Sequence, residues 1–412
     1  MRYETLVMAP DGAVEGMVRL PGSKSVSNRA LIIRALCEVD FPITGLSSAT
    51  DTVILQRLLT APTNTMDAGA GGTTFRFLLA FCAATGKDVL LTGSPRLCER
   101  PISPLVEALR ELGAVITYAE KEGFPPLQLH ASRLDGYEIS VRTDISSQFI
   151  SALMMIAPVL PRGLNMHFQG GVVSAPYIAM TARVMEYFGA TVTFTSIGIS
   201  VPAAKYSASS FAVPPDWSAA VFYYAIAALR PGSCIRLLRL ATDQFQGDAI
   251  AMEWMRAWGV NSTVEGDDIV IRSAGFETTP LSMDFLRHPD LAQAFAVMAA
   301  VSGRPLELTG LATLRHKETD RIAALQTSLA TAGVEVMAGR DSLRINGKVK
   351  KELVSEVLFP TYQDHRMVMS LSLLSLSGAA VRMENPQVVE KSYPDYFSEL
   401  SALGFSNRAQ CP

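Results

Sequence analysis

Apolar residues along this chain alternate between stretches with helical spacing and short stretches with strand spacing. The helical spacing predicts ten helices, over residues 27–37, 73–84, 104–112, 147–157, 177–188, 218–229, 249–258, 291–301, 366–376 and 396–403. Several of these segments are apolar on nearly every face, which is typical of helices covered on all sides by other elements. Short strand patterns follow at 191–194 and 268–271, the second after a tight turn at 265–268. We therefore expect a mixed α/β fold.

Five glycines end a helical pattern and are each followed by a turn towards a strand pattern. They are Gly113, Gly189, Gly259, Gly333 and Gly404, spaced 70 to 76 residues apart. Glycine suits the left-handed position that closes a helix. A nearly constant period of this size indicates one supersecondary unit used repeatedly. With a sixth copy around residues 50–61 that lacks its glycine, the pattern predicts six units, three in each of two domains.

The length of 412 residues also predicts two domains, of about 200 residues each. A proline pair lies near the middle, within residues 212–216, and we place the domain crossover there; residues 19–22 are a second candidate. The prediction is an N-terminal domain over residues 21–213 and a C-terminal domain built from residues 1–20 and 214–412.

Composition excludes several classes of protein. Hydrophobic residues make up 49% and charged residues 18%, which is typical of a compact protein, and the net charge of −3 argues against a nucleic acid or a polybasic membrane contact as partner. Neither a signal-peptide core nor an apolar run long enough to span a membrane is present, so we expect a cytoplasmic protein. The five cysteines and five histidines lack the spacings of metal ligands. We expect no metal, no disulfide and no cofactor.

Charge is concentrated in residues 315–321, where six titratable side chains occupy seven positions. A helical pattern over residues 318–332 predicts that this cluster forms the first turn of a helix. Lys317 and Arg321 would then face the same way at the end of the helix that disfavours cations, so we expect an anion between them. Glu318 and Asp320 are possible counter-charges, and the alternative is an ordinary solvated first turn.

Other polar stretches lie where helices are expected to begin, each with helix capping as the simpler interpretation. Residues 20–29 combine hydroxyls with Lys24 and Arg29, a layout typical of anion binding. Further stretches are the glycine loop at 67–76, the Arg100–Pro101 pair, and residues 143–148, 174–177, 287–290, 362–367 and 389–395. Cations and hydroxyls at so many helix starts together predict a small, highly anionic set of ligands.

Five of these stretches resemble the motifs of the 5-enolpyruvylshikimate-3-phosphate synthase family of enolpyruvyl transferases. They are LPGSKSVSNR at 20–29, SSQ at 146–148, KETDR at 317–321, DHRM at 364–367 and KSYPDY at 391–396. The resemblance spans nearly the whole chain, in the family's order. It implies a two-domain inside-out α/β barrel, with three βαβαββ repeats in each domain and the active site in the interdomain cleft.

The resemblance also implies the reaction: transfer of the enolpyruvyl group of phosphoenolpyruvate to the 5-hydroxyl of shikimate 3-phosphate, with release of phosphate, by a cytoplasmic monomer of the shikimate pathway. By motif, the shikimate 3-phosphate site comprises Lys24, Ser25, Arg29, Ser146, Ser147, Gln148, Ser174, Tyr177, Asp290 and Lys317. The phosphoenolpyruvate site comprises Lys24, Gly72, Arg100, Gln148, Arg321, Arg366 and Lys391. The expected proton carriers are Asp290 as base and Lys24 as the leading donor, with support from Glu318, His365 and Lys391.

Two positions depart from the family pattern, because Ala70 and Thr313 stand where the family has asparagine.

Two alternative functions remain. A UDP-N-acetylglucosamine enolpyruvyl transferase shares the fold and chemistry, but that family has Lys-Asn in place of Lys24–Ser25 and lacks the DHRM stretch. A non-catalytic anion-binding relative would keep the pocket without turnover.

Overall fold

The computed structural model describes residues 4–61, 63–143 and 146–410. The chain divides into two compact units. One unit is Gly22–Val213, and the other combines Met1–Pro21 with Pro214–Pro412. The chain therefore passes from one unit to the other at Pro21–Gly22 and at Val213–Pro214.

Most of the α-helices lie where the apolar spacing of the sequence predicts them. The α-helices of the described residues are α1 Lys24–Leu36, α2 Thr50–Thr60, α3 Gly72–Ala84, α4 Pro95–Cys98, α5 Ser103–Glu111, α6 Ser147–Ile156, α7 Ala175–Tyr187, α8 Trp217–Leu229, α9 Ala251–Trp254, α10 Ala292–Ser302, α11 Arg321–Thr331, α12 Lys351–Glu356, α13 His365–Ser372 and α14 Tyr396–Ala402. Eight of the ten helices predicted from sequence are confirmed to within three residues. The other two, 249–258 and 366–376, are helical but are partly 3-10 helix, at Gly247–Ile250, Met255–Trp258 and Leu373–Ser377.

The strands are short. They are β1 Glu4–Met8, β2 Glu15–Val18, β3 Ile43–Thr44, β4 Thr65–Asp67, β5 Val89–Thr92, β6 Val115–Tyr118, β7 Leu127–His130, β8 Glu138–Arg142, β9 Leu164–Gln169, β10 Thr193–Phe194, β11 Gly198–Val201, β12 Phe211–Ala212, β13 Cys234–Leu237, β14 Val260–Glu265, β15 Asp268–Ser273, β16 Leu281–Asp284, β17 Leu306–Thr309, β18 Glu335–Ala338, β19 Leu343–Asn346, β20 Leu358–Phe359, β21 Val381–Glu384 and β22 Ser406–Gln410. The strand expected at 191–194 is reduced to β10, whereas the one expected at 268–271 is the longer β15.

The sheets repeat one topology. In the unit Gly22–Val213 the four-stranded sheets have the orders β4-β5-β7-β6 and β8-β9-β11-β10. In the other unit the orders are β2-β13-β15-β14, β16-β17-β19-β18 and β20-β21-β1-β22. In each sheet, in the order given, the first and second strands are parallel. The second and third strands are antiparallel, and so are the third and fourth. The underlying unit is βαβαββ, and the last of the five completes its sheet with β1 from the start of the chain.

The sixth sheet is smaller. It contains only the parallel pair β3, which lies between α1 and α2 in the chain, and β12, which precedes α8. Among the described residues, therefore, five units are complete and the sixth lacks its antiparallel hairpin. The unit period read from glycine spacing has a clear structural basis: the five glycines at helix ends all have positive φ, between 69° and 111°. A Cβ at Gly259 would lie 2.0 Å from the carbonyl oxygen of Gly275, so no other residue fits there without movement.

The cores explain the helices that are apolar on every face. In α8 all residues from Ala219 to Ala228 are buried, and in α10 all residues from Ala292 to Val301 are buried. Both helices belong to one large apolar cluster with strands of the same unit. None of the described helices has the length and apolar character needed to cross a membrane. Across the described ranges, His, Cys, Asp and Glu do not gather in a group of three or more suited to a metal ion.

One helix start predicted from sequence is wrong. Helix α11 begins at Arg321 rather than at residue 318, and a 3-10 helix, Ala312–His316, precedes it. The reason is Asp320, whose side chain accepts hydrogen bonds from the backbone N–H groups of Ile322 and Ala323, at 3.1 Å each, and so caps the helix. Lys317 and Glu318 consequently lie in the loop before the helix, and only Arg321 lies on its first turn.

Candidate active site

In the unit that contains residues 214–412, a group of charged side chains surrounds Asp290. Asp290 follows Pro289 in the short 3-10 helix Pro289–Leu291 at the entrance of α10. Its Oδ1 lies 3.4 Å from Lys317 Nζ and 3.2 Å from Arg321 Nη1. Arg366 donates to Asp290 twice, through Nη1 to the backbone carbonyl at 2.9 Å and through Nη2 to Oδ2 at 3.2 Å. One carboxylate therefore meets three cations.

This environment sets the charge of Asp290. Burial raises the pKa of its carboxyl group, but the positive charges of Arg366, Lys317 and Arg321 outweigh burial and hold the pKa well below its ordinary value. Asp290 is consequently ionised at neutral pH. Its carboxylate is also the anion that the sequence predicted between Lys317 and Arg321, although it comes from another part of the chain.

Arg321 lies at the centre of the group, with only 2% of its side chain exposed. Its Nε donates to Asp364 at 2.7 Å, and its Nη2 donates to Glu318 at 2.9 Å and to Asp364 at 3.2 Å. Burial lowers the pKa of Arg321, but the three carboxylates raise it above its ordinary value. The alternative of a solvated first turn is therefore wrong for Arg321. Asp320, which was the other possible counter-charge, instead contacts Arg315 at 2.7 Å.

The loop before α13 holds the remaining charges of this group. Asp364 is fully buried and caps α13 by accepting a hydrogen bond from the Arg366 N–H at 2.8 Å. The two residues before it, Tyr362 and Gln363, both have φ of 54°, a conformation that costs on the order of 1–3 kcal/mol per non-glycine residue. The Gln363 carbonyl accepts from Lys391 Nζ at 3.1 Å. This backbone strain lies within one of the stretches predicted to bind substrate, and Lys391 of another such stretch contacts it.

His365 follows Asp364 at the start of α13 and is 2% exposed. Thr313, one of the two departures from the family pattern, lies in the 3-10 helix before Lys317. Its hydroxyl is buried and makes no hydrogen bond within the described part of the chain.

The unit Gly22–Val213 has its own cationic group, at the start of α3. Gly72 begins this helix, and a Cβ there would lie 2.5 Å from Arg100 Nη1 and 2.6 Å from Arg76 Nη1. Gln148 on α6 accepts from Arg76 Nη1 at 3.0 Å and donates to the Thr73 hydroxyl at 3.0 Å. Three residues predicted to bind phosphoenolpyruvate, Gly72, Arg100 and Gln148, therefore lie together with a further arginine.

Lys24 and Arg29 occupy one helix, α1, but different surroundings. Lys24 lies at the first position of the helix, and its Nζ is 3.2 Å from the carboxylate of Asp51 on α2. Arg29 is 2% exposed, and burial lowers its pKa to about 10, so it is still charged at neutral pH. Its guanidinium donates to the hydroxyls of Ser151 and Thr181 and to the carbonyls of Ser25 and Tyr177, at 2.8 to 3.2 Å.

The predicted serines lie at helix starts. Ser146 caps α6 by accepting from the Gln148 N–H at 3.3 Å, and Ser147 begins that helix. Ser174 precedes α7 with φ of 54°, so a residue predicted to bind shikimate 3-phosphate also has a strained backbone. Residues 144–145 of the stretch 143–148 lie outside the described residues. Ala70, the other departure, is half-buried in the loop before Gly72.

Sequence reasoning missed three residues that hold these groups together: Asp364, Arg76 and Asp51. Asp364 and Arg76 lie inside stretches predicted to be functional but were not assigned a role. A signal was available for both, because charged residues are rarely buried. Asp364 stands directly before an apolar helical pattern, and Arg76 stands at the end of the glycine loop. Asp51 had no such signal, because its contact with Lys24 depends on how α1 packs against α2.

The chain is similar to known proteins of one family. The family model described as EPSP synthase (3-phosphoshikimate 1-carboxyvinyltransferase) matches residues 54–400. A curated 3-phosphoshikimate 1-carboxyvinyltransferase of Bacteroides fragilis (strain YCH46) is 41% identical over 406 residues, with 98% of each chain covered. The curated relative of the same name from Paraburkholderia phymatum is 36% identical over 433 residues, with 97% of this chain and 99% of the relative covered.

A solved structure shows the same fold. The EPSP synthase from Acinetobacter baumannii matches with a TM-score of 0.78 and 22% sequence identity, over 99% of this chain and 100% of that one. The curated relatives match over nearly their whole length, and the family model covers most of the chain, including Gly72, Asp290 and the 317–321 segment. This chain therefore belongs to the EPSP synthase family.

Proposed function

We propose that this chain transfers the enolpyruvyl group of phosphoenolpyruvate to the 5-hydroxyl of shikimate 3-phosphate and releases phosphate. The observation that carries the proposal is the Asp290 carboxylate, contacted by Lys317, Arg321 and Arg366 at 3.2 to 3.4 Å. The reaction needs a proton acceptor beside dense positive charge, because both substrates bring a carboxylate and a phosphate. Full-length relatives at 36–41% identity carry the name of this activity.

In the proposed reaction, the 5-hydroxyl oxygen forms a bond to C2 of phosphoenolpyruvate while its proton passes to Asp290 and C3 takes a proton from Lys24. The resulting tetrahedral intermediate then loses a proton from C3 and expels phosphate. This second step restores the double bond, and the enolpyruvyl ether is the product. Glu318, His365 and Lys391 support the proton transfers.

The basicity of Asp290 depends on its neighbours. Three cations hold its pKa well below its ordinary value, so it is a weak base while they contact it. When Lys317 and Arg366 turn towards substrate phosphates and carboxylates, part of that positive charge is neutralised and the pKa of Asp290 rises. Substrate binding would thus prepare the base for proton removal.

The substrate residues keep the assignments that follow from the motifs. Lys24, Ser25, Arg29, Ser146, Ser147, Gln148, Ser174, Tyr177, Asp290 and Lys317 are proposed for shikimate 3-phosphate, and Lys24, Gly72, Arg100, Gln148, Arg321, Arg366 and Lys391 for phosphoenolpyruvate. The group of Gly72, Arg76, Arg100 and Gln148 supports the second set, since paired guanidinium groups suit a carboxylate and a phosphate. We also propose that each of the two units has the inside-out α/β barrel fold of the family. That the protein is a monomer and that it is located in the cytoplasm remain predictions.

The activity is tested by measuring phosphate release from phosphoenolpyruvate with two acceptors. Release with shikimate 3-phosphate and none with UDP-N-acetylglucosamine is the expected result. The reverse pattern would assign the chain to the nucleotide-sugar reaction. Tight binding of both expected substrates without any phosphate release would instead indicate a non-catalytic anion-binding relative.

We expect Lys317→Ala to weaken the binding of shikimate 3-phosphate while the affinity for phosphoenolpyruvate changes little. The loss should be on the order of 2 kcal/mol, because a hydrogen-bonded charge on an anionic ligand is removed. Isothermal titration with each ligand measures the two affinities separately. His316→Ala is the matched control, since His316 is the exposed neighbour of Lys317. Equal weakening of both ligands, or of neither, would contradict the assignment.

We expect Gly72→Ala to raise the KM for phosphoenolpyruvate. The added Cβ would lie within 2.6 Å of the guanidinium nitrogens of both Arg76 and Arg100 and must displace them, which should raise KM about tenfold. The KM for shikimate 3-phosphate should stay within twofold. Gly171→Ala is the control, because a Cβ there meets nothing within 4 Å. An unchanged KM for phosphoenolpyruvate would show that this group does not bind it.

A further inference from the structure

Two residues before Asp290, a buried histidine contacts a carboxylate that the assignments above leave out. His288 is 8% exposed, and its Nδ1 lies 3.3 Å from Oδ1 of Asp248, which is 4% exposed. A carboxylate oxygen accepts hydrogen bonds, so this contact is a hydrogen bond in the imidazole tautomer that carries its proton on Nδ1. The edge of the Trp254 ring packs against the imidazole, with the ring centroids 5.5 Å apart. The side chain of His288 is therefore held from two sides.

Asp248 is itself fixed by its neighbours. It lies in the 3-10 helix Gly247–Ile250, and its Oδ2 accepts from the Ser218 hydroxyl at 2.5 Å, on the first turn of α8. Gln246, just before it, donates to the Pro215 carbonyl at 2.7 Å and accepts from the Trp217 N–H at 3.0 Å. The segment that presents Asp248 is thus joined to the start of α8 by three hydrogen bonds from buried side chains.

His288 also shapes the turn that presents Asp290. Its N–H donates to the Phe285 carbonyl at 3.0 Å, and its own carbonyl accepts from the Leu291 N–H at 3.2 Å. Pro289 has no N–H to donate and fixes its own φ. The side-chain contact with Asp248 therefore adds a polar link between this turn and the segment that is hydrogen-bonded to the start of α8.

The link has a consequence for the proposed reaction. Lys317, Arg321 and Arg366 hold Asp290 in the unliganded protein, and two of them are proposed to turn towards substrate anions. Once those contacts weaken, the position of Asp290 depends on its backbone turn. We propose that His288, through its hydrogen bond to Asp248, is a positioning residue that keeps the Asp290 carboxylate aligned with the substrate hydroxyl; this rests on the proposed function.

The test compares substitutions that differ only in where they place a donor. Asn puts its amide nitrogen near the Nδ1 position and keeps the bond to Asp248, whereas Gln places it near the Nε2 position and Leu has no donor. We expect His288→Leu and His288→Gln to lower kcat about tenfold, with both KM values within twofold, because the base is misaligned while the substrate contacts are intact. His288→Asn should recover kcat to within about threefold of the wild type.

A merely structural role is separated by a double-mutant cycle with Asp290→Asn. If His288 acts through the Asp290 carboxylate, His288→Leu should cause no further loss of kcat once that carboxylate is removed. An additive tenfold loss would overturn the proposal. Far-ultraviolet circular dichroism establishes which variants fold. If His288→Leu does not fold, kcat is measured in the same double-mutant cycle with His288→Gln instead.

The control is His167→Leu in the other unit, where a half-buried histidine contacts the Glu138 carboxylate through Nε2 at 2.7 Å. Its kcat should stay within twofold of the wild type. If the wild type is active and the folded variants His288→Leu and His288→Gln have the same kcat as the wild type, this proposal is overturned and the proposed function is not. Absence of turnover in the wild type would overturn the proposed function and this inference with it.

Discussion

Replacing Asp290 with Asn is expected to lower kcat by roughly 10²-fold or more, because the amide keeps the shape of the side chain and cannot accept the substrate proton. Binding should survive. The three cations around Asp290 lose their counter-charge in this variant, so both anionic substrates should bind at least as tightly as they bind to the wild type. Single-turnover phosphate release measures the chemical step, and titration of each ligand measures binding.

Asp284→Asn is the matched control for this variant. Asp284 lies on β16 in the same unit, is exposed, and accepts a hydrogen bond from the nearby Leu286 N–H at 2.9 Å. Its kcat should remain close to that of the wild type. A kcat for Asp290→Asn within about threefold of the wild type would remove Asp290 from the role of base, since general-base loss costs far more.

Much of the fold could be predicted from the sequence because the chain repeats one local solution. Helices such as α8 and α10 are apolar and buried on all faces, and their lengths of 13 and 11 residues distinguish them from buried strands. The glycines that end the units have positive φ, and this is what made the period visible. The incomplete sixth sheet was not predictable, because β3 pairs with β12 from the far end of its unit and has only two residues.

The candidate site was predictable as a set of motifs but not as a network. Arg321 contacts Asp290 and Asp364, which are 31 and 43 residues away in the chain, so no local spacing reveals these pairs. The start of α11 was misplaced for a related reason: Asp320 was considered as a counter-charge, whereas in the structure it caps the helix. The charges of this segment are arranged by tertiary contacts rather than by helical spacing.

Replacing Arg321 with Ala is expected to lower the free energy of unfolding by about 3–5 kcal/mol, because buried charges lose their partner. The guanidinium donates to Asp290, Glu318 and Asp364, and it is 2% exposed. Arg315→Ala is the matched control in the same segment. Its contact with Asp320 is partly exposed, at 31% of the arginine side chain, and such pairs contribute at most about 1 kcal/mol. Urea unfolding at pH 7 measures both variants.

The pH dependence distinguishes lost charge from lost packing in Arg321→Ala. In the wild type, the folded-state pKa of Asp290 is well below the unfolded value of about 4, so its stabilising contribution is complete above that pH and is lost only as pH falls through the folded pKa. In the variant one of the three lowering charges is gone, the pKa of Asp290 rises, and excess negative charge remains buried. That charge is relieved when protons bind, so the stability gap between variant and wild type should narrow from pH 7 to about pH 5. A gap that is constant across this range would show that Arg321 stabilises the protein by packing, and that the three carboxylates do not depend on its charge.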